Sequence, residues 1–472
     1  MAQGTRKHAM IQALFRLPER CPGRLIVTMG LLLALAYTAA ILFLPRRGGR
    51  IVVGDGVHYY VYVRSAVFDH DLQFANDYTK LYGMKTPEDV PTWMHERTVT
   101  GHVANMMSVG PPLLWMPLFL LVTGLVAAGR LVGIDYPLDG FGWVFQASAG
   151  YSGIIMATAG VWISYRLAAR YFDRATAIWS TLAIWLASSA LYYSGISPTY
   201  SHSASMLVVS AFLYVWATSI GRQTAGRYAL VGLLAGFIAL VRWQDAVFLI
   251  VPLVDAIWHV LRPIEAEAGT PAIARLRRAF VRLAVCGVAA IVAFAPQMLV
   301  WMVLYGSPLT MPQTGAWMQW SAPFWWRVLF SDLHGLFTWT PMLALAVVGM
   351  VPLFRRDRRL GTALAAALLV SLWVNGSVVE WWAGEAYGAR RFVSCFPIFV
   401  LGFCGFASTW LRTRPRLLVT IAVFVILNGL LLLQYELFMH GLARLAPYPS
   451  GFHALVVARF LVPFRLLGWL LG

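Results

Sequence analysis

Residues 25–44 read LIVTMGLLLALAYTAAILFL, twenty consecutive positions without a charge. About 20 such residues, wound as a helix, cross a hydrocarbon core of about 30 Å. Arg6, Lys7, Arg16, Arg20 and Arg24 precede the stretch, and Pro45-Arg46-Arg47 after it is a poor cleavage site for a signal peptide. It therefore reads as a retained first span, with residues 1–24 on the cytoplasmic side. The rest of the chain repeats the theme. It is 59% hydrophobic and 12% charged over 472 residues, with a mean hydropathy of +0.68. That composition excludes a soluble globular enzyme. It predicts an all-α polytopic transmembrane bundle.

Working outward, residues 45–140 form a long outer loop. Its polar part, 45–108, holds seven of the twenty acids: Asp55, Asp69, Asp71, Asp77, Glu88, Asp89 and Glu96. Loops of this size usually carry a function. Pro111 to Gly129 is apolar but opens on Pro111, Pro112 and Pro117, so it is read as interfacial or re-entrant, not as a crossing. Spans then follow near 141–165, 175–195, 203–220, 228–241, 246–261, 283–303, 338–354, 361–378, 392–411 and 417–437, the bundle occupying 141–437. With the first span this makes eleven. The segment 438–472 is an interfacial helix or a twelfth span.

In this arrangement 22 of the 37 basic residues fall in the inner segments, as the excess of Lys and Arg in short cytoplasmic loops requires. The net charge of +17 is then a topology signal facing anionic lipid, and no nucleic-acid partner is needed to explain it. Cys21, Cys286, Cys395 and Cys404 have no metal-like spacing and indicate no disulfide framework.

The unusual polar residues gather on the outer face. Gly54-Asp55-Gly56-Val57-His58-Tyr59-Tyr60 places an acid between two glycines, a turn that brings a carboxylate close to the membrane surface. From Tyr59 to Leu72 the spacing is roughly helical and predicts an amphipathic helix lying on the membrane, with Arg64, Asp69 and Asp71 on its other faces. His102 lies later in the same loop. Ser197 to His202 is a second polar loop, and Arg242-Trp243-Gln244-Asp245 a third turn, read either as a structural ion pair or as a substrate contact. The segment 305–341 is rich in tryptophan, which an aromatic belt explains, but His334-Gly335 is not explained that way. Finally Glu385 and the adjacent Arg390-Arg391 sit on the outer side against the charge rule, and a lipid-linked phosphate would account for them.

This layout resembles the GT-C superfamily of membrane glycosyltransferases, in particular the bacterial branch related to protein O-mannosyltransferases and lipid A aminoarabinose transferases. The residues that carry the likeness are Asp55-Gly56-Val57-His58-Tyr59-Tyr60 with Val63-Arg64, Gly110-Pro111-Pro112-Leu113-Leu114-Trp115, and Val241-Arg242. Family members often have Asp-Glu where this chain has Asp55-Gly56, and a Lys before the prolines that is absent here. The resemblance implies a GT-C-like bundle of about 11 to 12 spans with interfacial helices in the first outer loop. It further implies transfer of a sugar from a polyprenyl-phosphate donor to a glycan, glycolipid or protein acceptor, at the outer face of a bacterial inner membrane.

On that reading Asp55 is the general base for an attacking hydroxyl. His58, Tyr59, Tyr60, Arg64 and His102 from the first loop are candidate substrate contacts, as are Arg242, His334, Glu385, Arg390 and Arg391. No cofactor is required. A divalent cation on Asp55 with Asp69 or Asp71 is an open option. The competing reading is a lipid-linked sugar flippase, which calls for ionisable residues near the bilayer midplane or an inverted repeat. A ligase with a late functional loop is a third.

Overall fold

The computed structural model describes residues 19–44, 50–86, 89–263, 269–313 and 316–471. Arg6, Lys7, Arg16, the Pro45-Arg46-Arg47 stretch and Glu88 lie outside them. The described chain is helical, and its only strand-like pairings are the isolated bridges Arg97–Val103 and Met318–Val378. Its first half contains α1 (Pro22–Phe43), α2 (Asp55–Phe68), α3 (Ala75–Tyr82), α4 (Thr92–His95), α5 (Gly110–Leu131), α6 (Trp143–Ala168), α7 (Arg174–Leu186) and α8 (Ser189–Gly195). There follow α9 (Ser201–Thr218), α10 (Ala225–Val241), α11 (Ile250–Leu261), α12 (Ala272–Tyr305), α13 (Trp325–Phe330) and α14 (Leu336–Trp339). The chain ends with α15 (Met342–Val348), α16 (Met350–Arg356), α17 (Arg358–Ser377), α18 (Phe396–Trp410), α19 (Arg414–Met439) and α20 (Arg459–Leu471). Short 3-10 turns, Trp243–Leu249 and Arg390–Cys395, lead into α11 and α18.

Among the described residues eight helices are long and apolar enough to cross a membrane, or nine if the bent pair α7 and α8 is one span. The chain is thus a multi-pass helical membrane protein. The expected span 175–195 is broken, because α7 and α8 meet at 75°. The break lies at two serines. Ser188 Oγ donates to the Ile184 carbonyl at 2.6 Å and accepts from the Ala190 amide at 3.2 Å, so the hydroxyl replaces the helical ladder at the bend.

The chain divides into two compact units. The first-loop unit comprises Leu33–Ala157 and Tyr193–Trp317. In it α10 and α12 run parallel and touch backbone to backbone: a Cβ added at Gly232 or Gly236 would lie 2.2 Å from the Cys286 carbonyl oxygen or 2.1 Å from that of Ala290. Small residues four apart permit this approach, and close packing drives helix association where no water is present. At one end of the α10–α11 pair, Arg227 forms a buried ion pair with Asp255 at 2.8 Å. The loop region gathers at the other end.

Helix α2 departs from the expected surface helix. Gly56, Val57 and every residue from Tyr59 to Ser65 are buried, so it is a core element of its unit and not an amphipathic helix with a lipid face. The covering comes from Trp115 and Phe119 of α5, which meet Tyr59 and Tyr60 edge-on at 6.2 and 5.9 Å, and from Phe145, which meets Phe68 at 5.7 Å.

The C-terminal unit comprises Met1–Leu32, Thr158–Tyr192 and Met318–Gly472. Here the expected span 338–354 is split into α14, α15 and α16. An aromatic cluster of Trp339, Tyr387 and Tyr435, with Leu431 and Leu455, forms its buried core. The Tyr387 hydroxyl donates to Asn428 Oδ1 at 2.8 Å, and the Asn428 amide donates to the Leu186 carbonyl at 2.9 Å. A buried hydroxyl and amide are thereby both satisfied.

Candidate functional site

Asp55 is the first residue of α2, preceded by Gly54 at φ 53°, ψ −133°. A side chain is strained in that conformation, and there is no room for one. A Cβ on Gly54 would lie 2.0 Å from the Tyr200 hydroxyl, and one on Gly56 would lie 2.5 Å from Thr199 Oγ1. The 197–200 loop is therefore pressed onto both glycines, and the acid between them has a fixed position at a helix N-terminus, where a negative charge is favoured. Gly54→Ala is expected to cost about 1–3 kcal/mol from backbone strain alone. Thermal unfolding of the purified variant checks this, and an unchanged midpoint would contradict it.

From Tyr200 a line of polar contacts leads inward. The rings of Tyr200 and His202 stack at 6.2 Å with 17° between planes. His202 Nδ1 lies 3.2 Å from Arg242 Nη1. A guanidinium only donates, so this ring nitrogen accepts and the imidazole proton sits on Nε2. Arg242 Nη1 is also 4.0 Å from Asp245, whose carboxylate accepts from Ser205 Oγ at 2.9 Å. All three residues are buried, Arg242 with 7% of its surface exposed. Its Nε and Nη2 have no partner among the described residues. A buried guanidinium with one edge engaged and two donors open is arranged to accept an anion.

The remaining first-loop candidates hold the protein together. Arg64 donates to Asp69, to Asp77 at 3.2 Å and to the Asp139 carbonyl at 3.0 Å, and its guanidinium lies 4.0 Å from the Phe141 ring. These partners occupy its Nε and Nη1, so it ties α2 to α3 and to the segment before α6. The Tyr60 hydroxyl donates to the Gly140 carbonyl at 2.5 Å. Tyr59 packs on Trp115. His58 Nδ1 lies 2.9 Å from the Tyr78 hydroxyl, with Trp93 beside the ring. Burial lowers its pKa, an effect the Asp55 charge opposes. His102 Nδ1 meets Thr100 Oγ1 at 2.9 Å.

The cation option fails on geometry. Asp55 opens and Asp69 caps the 14-residue α2, which separates them by about 20 Å. Asp69 is taken by Arg64 and Asn76, and Asp71 by Ser65 and the Gln73 amide. No group of three metal-ligating side chains is present among the described residues.

Asp77 carries its own signature. It is fully buried, its Oδ2 has no partner, and burial raises its pKa to about 7 despite Arg64. The folded state then holds a proton that the unfolded chain, at about 3.9, has released. Stability from this group is full below about pH 4 and is lost as pH rises through about 7. Unfolding followed from pH 4 to 8 should show this fall, and Asp77→Asn should remove it. A slope unaffected by the substitution would assign the effect elsewhere.

The other candidates lie in the C-terminal unit. His334 adopts φ 63°, rare for a side-chain-bearing residue. Its Nδ1 donates to the Trp382 carbonyl at 2.7 Å, so Nε2 accepts from the Tyr448 hydroxyl at 2.6 Å. Burial depresses its pKa to about 4. The imidazole is thereby held neutral in one tautomer. Arg390 and Arg391 open the turn into α18 and line a cleft with His334, Asn375, Trp381 and Trp382. Glu385 is exposed.

The candidates thus fall in two clusters, Asp55 with Arg242 in the first-loop unit and His334 with Arg390 and Arg391 in the C-terminal unit. His202 and Tyr448 complete these clusters without being among the expected substrate contacts, since each meets its partner across 40 or more residues of chain, whereas Asp245 lies beside Arg242 as the ion-pair reading of that turn has it. No family model matches the chain, and no curated protein matches it either.

Proposed function

We propose that the protein is an inverting glycosyltransferase of the bacterial inner membrane, moving a sugar from a polyprenyl-phosphate donor to an acceptor hydroxyl at the outer face. The observation that carries the reading is the presence, in one unit, of a carboxylate fixed on a glycine-flanked turn and a buried arginine with open donors. The two are linked through Tyr200 and His202. The likeness of the Asp55 and Gly110-Pro111-Pro112 stretches to GT-C enzymes supports it. The eight or nine helices among the described residues that are long and apolar enough to cross a membrane suit the same polytopic plan.

The step balances simply. The acceptor oxygen attacks the anomeric carbon and Asp55 takes its proton. The bond from that carbon to the phosphate oxygen breaks, and its electron pair leaves with the lipid phosphate. Arg242, in the same unit as Asp55, stabilises the charge gathering there. A single base and no covalent intermediate give inversion, unlike the paired carboxylates of retaining enzymes. The test is incubation of the purified protein in vesicles with labelled polyprenyl-phosphate sugars and hydroxyl acceptors. Product of inverted anomeric configuration supports the reading. Movement of donor across the vesicle wall without any transfer favours the flippase instead.

A further inference from the structure

A cleft of about 480 Å³ opens in the C-terminal unit, walled by Trp326 and Phe330 of α13 and by Trp381. It shares Trp381 with the cleft of His334, Arg390 and Arg391, but none of those three side chains lines it. Its size falls within the about 300–1,000 Å³ of small-molecule sites. Trp326 and Phe330 stand four residues apart on one helix face, their ring centroids 4.3 Å apart, and both remain exposed, Trp326 at 74%. An aromatic belt accounts for exposed rings. It does not account for what they frame. Arg327, Asp332 and Ser450 line the same cleft and are exposed. The polar edge is held in place without a ligand. Asp332 Oδ2 accepts from the Gly451 amide at 2.6 Å, Oδ1 accepts from Ser331 Oγ at 3.2 Å, and the Asp332 carbonyl accepts from Trp339 Nε1 at 2.7 Å. His334 ties the same loop to Trp382 and Tyr448. A ligand therefore meets a preorganised wall. A carboxylate has about four lone-pair sites, so Asp332 keeps acceptors to offer. Among the described residues the Arg327 guanidinium meets the Phe324 ring alone, at 5.5 Å, and it keeps its N–H donors.

We infer that this cleft binds a neutral saccharide. The charges of Arg327 and Asp332 offset each other, so the cleft selects neither an anion nor a cation. It selects a molecule that donates and accepts hydrogen bonds along one edge and presents an apolar face along another. A pyranose ring does both. Its hydroxyls donate to Asp332 and accept from Arg327, while its C–H face packs against the electron-rich face of Trp326 or Trp381. An acyl chain would cover the rings and leave the carboxylate and the guanidinium without partners, at a cost in free energy. The inference goes beyond sugar transfer at Asp55 and does not rest on it, since every residue that defines the cleft lies in the C-terminal unit.

The experiment passes the full chain, in lipid nanodiscs, over immobilised tetrasaccharides of glucose, galactose, mannose and N-acetylglucosamine, with no lipid-linked donor present. Retention on at least one of them is expected. Trp326→Ala and Asp332→Asn should each weaken it about tenfold or more, and Trp326→Phe, which keeps a ring, should weaken it less. Both positions are exposed, and the asparagine still accepts from Gly451, so the thermal midpoints should stay where they are. No retention on any tetrasaccharide, or retention that both variants preserve, overturns the inference. In a second arm Ser450→Cys carries a fluorophore in a Cys21→Ser background, since Cys286, Cys395 and Cys404 are buried. The nanodiscs then contain phospholipids spin-labelled in the headgroup or the acyl chain. Little quenching is expected. Strong quenching that the retained tetrasaccharide does not relieve means that lipid fills the cleft, and it refutes the saccharide. Neither readout involves a donor or a transfer step, so a failure here is distinct from a failure of the proposed reaction.

Discussion

Asp55→Asn is expected to lower sugar transfer by about 10²–10⁴-fold, the range that a positioned general base supplies. The amide keeps the size and shape of the carboxylate, and the turn that carries it is set by Gly54, Gly56 and the Thr199-Tyr200 loop, so the fold should survive. The loss should therefore appear in kcat with an intact thermal midpoint. Donor binding, measured as the KM for the lipid-linked sugar, should change little, because the base touches the acceptor. Turnover near that of the parent chain would remove Asp55 from the reaction and with it the proposed mechanism.

Arg242→Ala comes second. Deleting a donor aimed at developing charge costs about 10²–10³-fold. Arg242 has His202 and Asp245 on one side of its guanidinium and open donors on the other, so the alanine variant loses both a scaffold contact and the anion contact. Arg242→Lys separates the two. It keeps the charge beside Asp245 but not the planar fork, so it should fold like the parent and transfer at an intermediate rate. If the lysine variant matches the parent in both kcat and KM, the guanidinium is merely structural. Asp245 is expected to tolerate Arg242→Lys without unfolding, because Ser205 still satisfies it.

What could be read from the chain and what could not follows from the reach of each interaction. The apolar runs at 25–44 and 417–437 announce helices because a span needs an unbroken apolar stretch, and α1 and α19 lie there. The Gly54-Asp55-Gly56 turn was legible for a similar reason, since glycine is used where the backbone takes values that other residues avoid. The contact of His202 with Arg242 spans 40 positions and leaves no local pattern. Arg64 was read as a substrate contact because its clamp includes the Asp139 carbonyl, 75 residues away. Helix α2 looked amphipathic by spacing, but the residues that bury its other faces, Trp115, Phe119 and Phe145, come from beyond the polar part of the loop. The bend between α7 and α8 was invisible to periodicity, because serine hydroxyls that replace backbone bonds leave hydropathy unchanged.

The seam where Gly232 and Gly236 meet the carbonyls of Cys286 and Ala290 limits where a long hydrocarbon can travel. Two backbones at that separation leave no crevice wide enough for an isoprenoid unit. A greasy substrate tail reaching Arg242 must therefore arrive around the flank of α10 and α12, never through the gap between them. Widening that gap with a bulkier residue would pry the pair apart without opening a useful doorway.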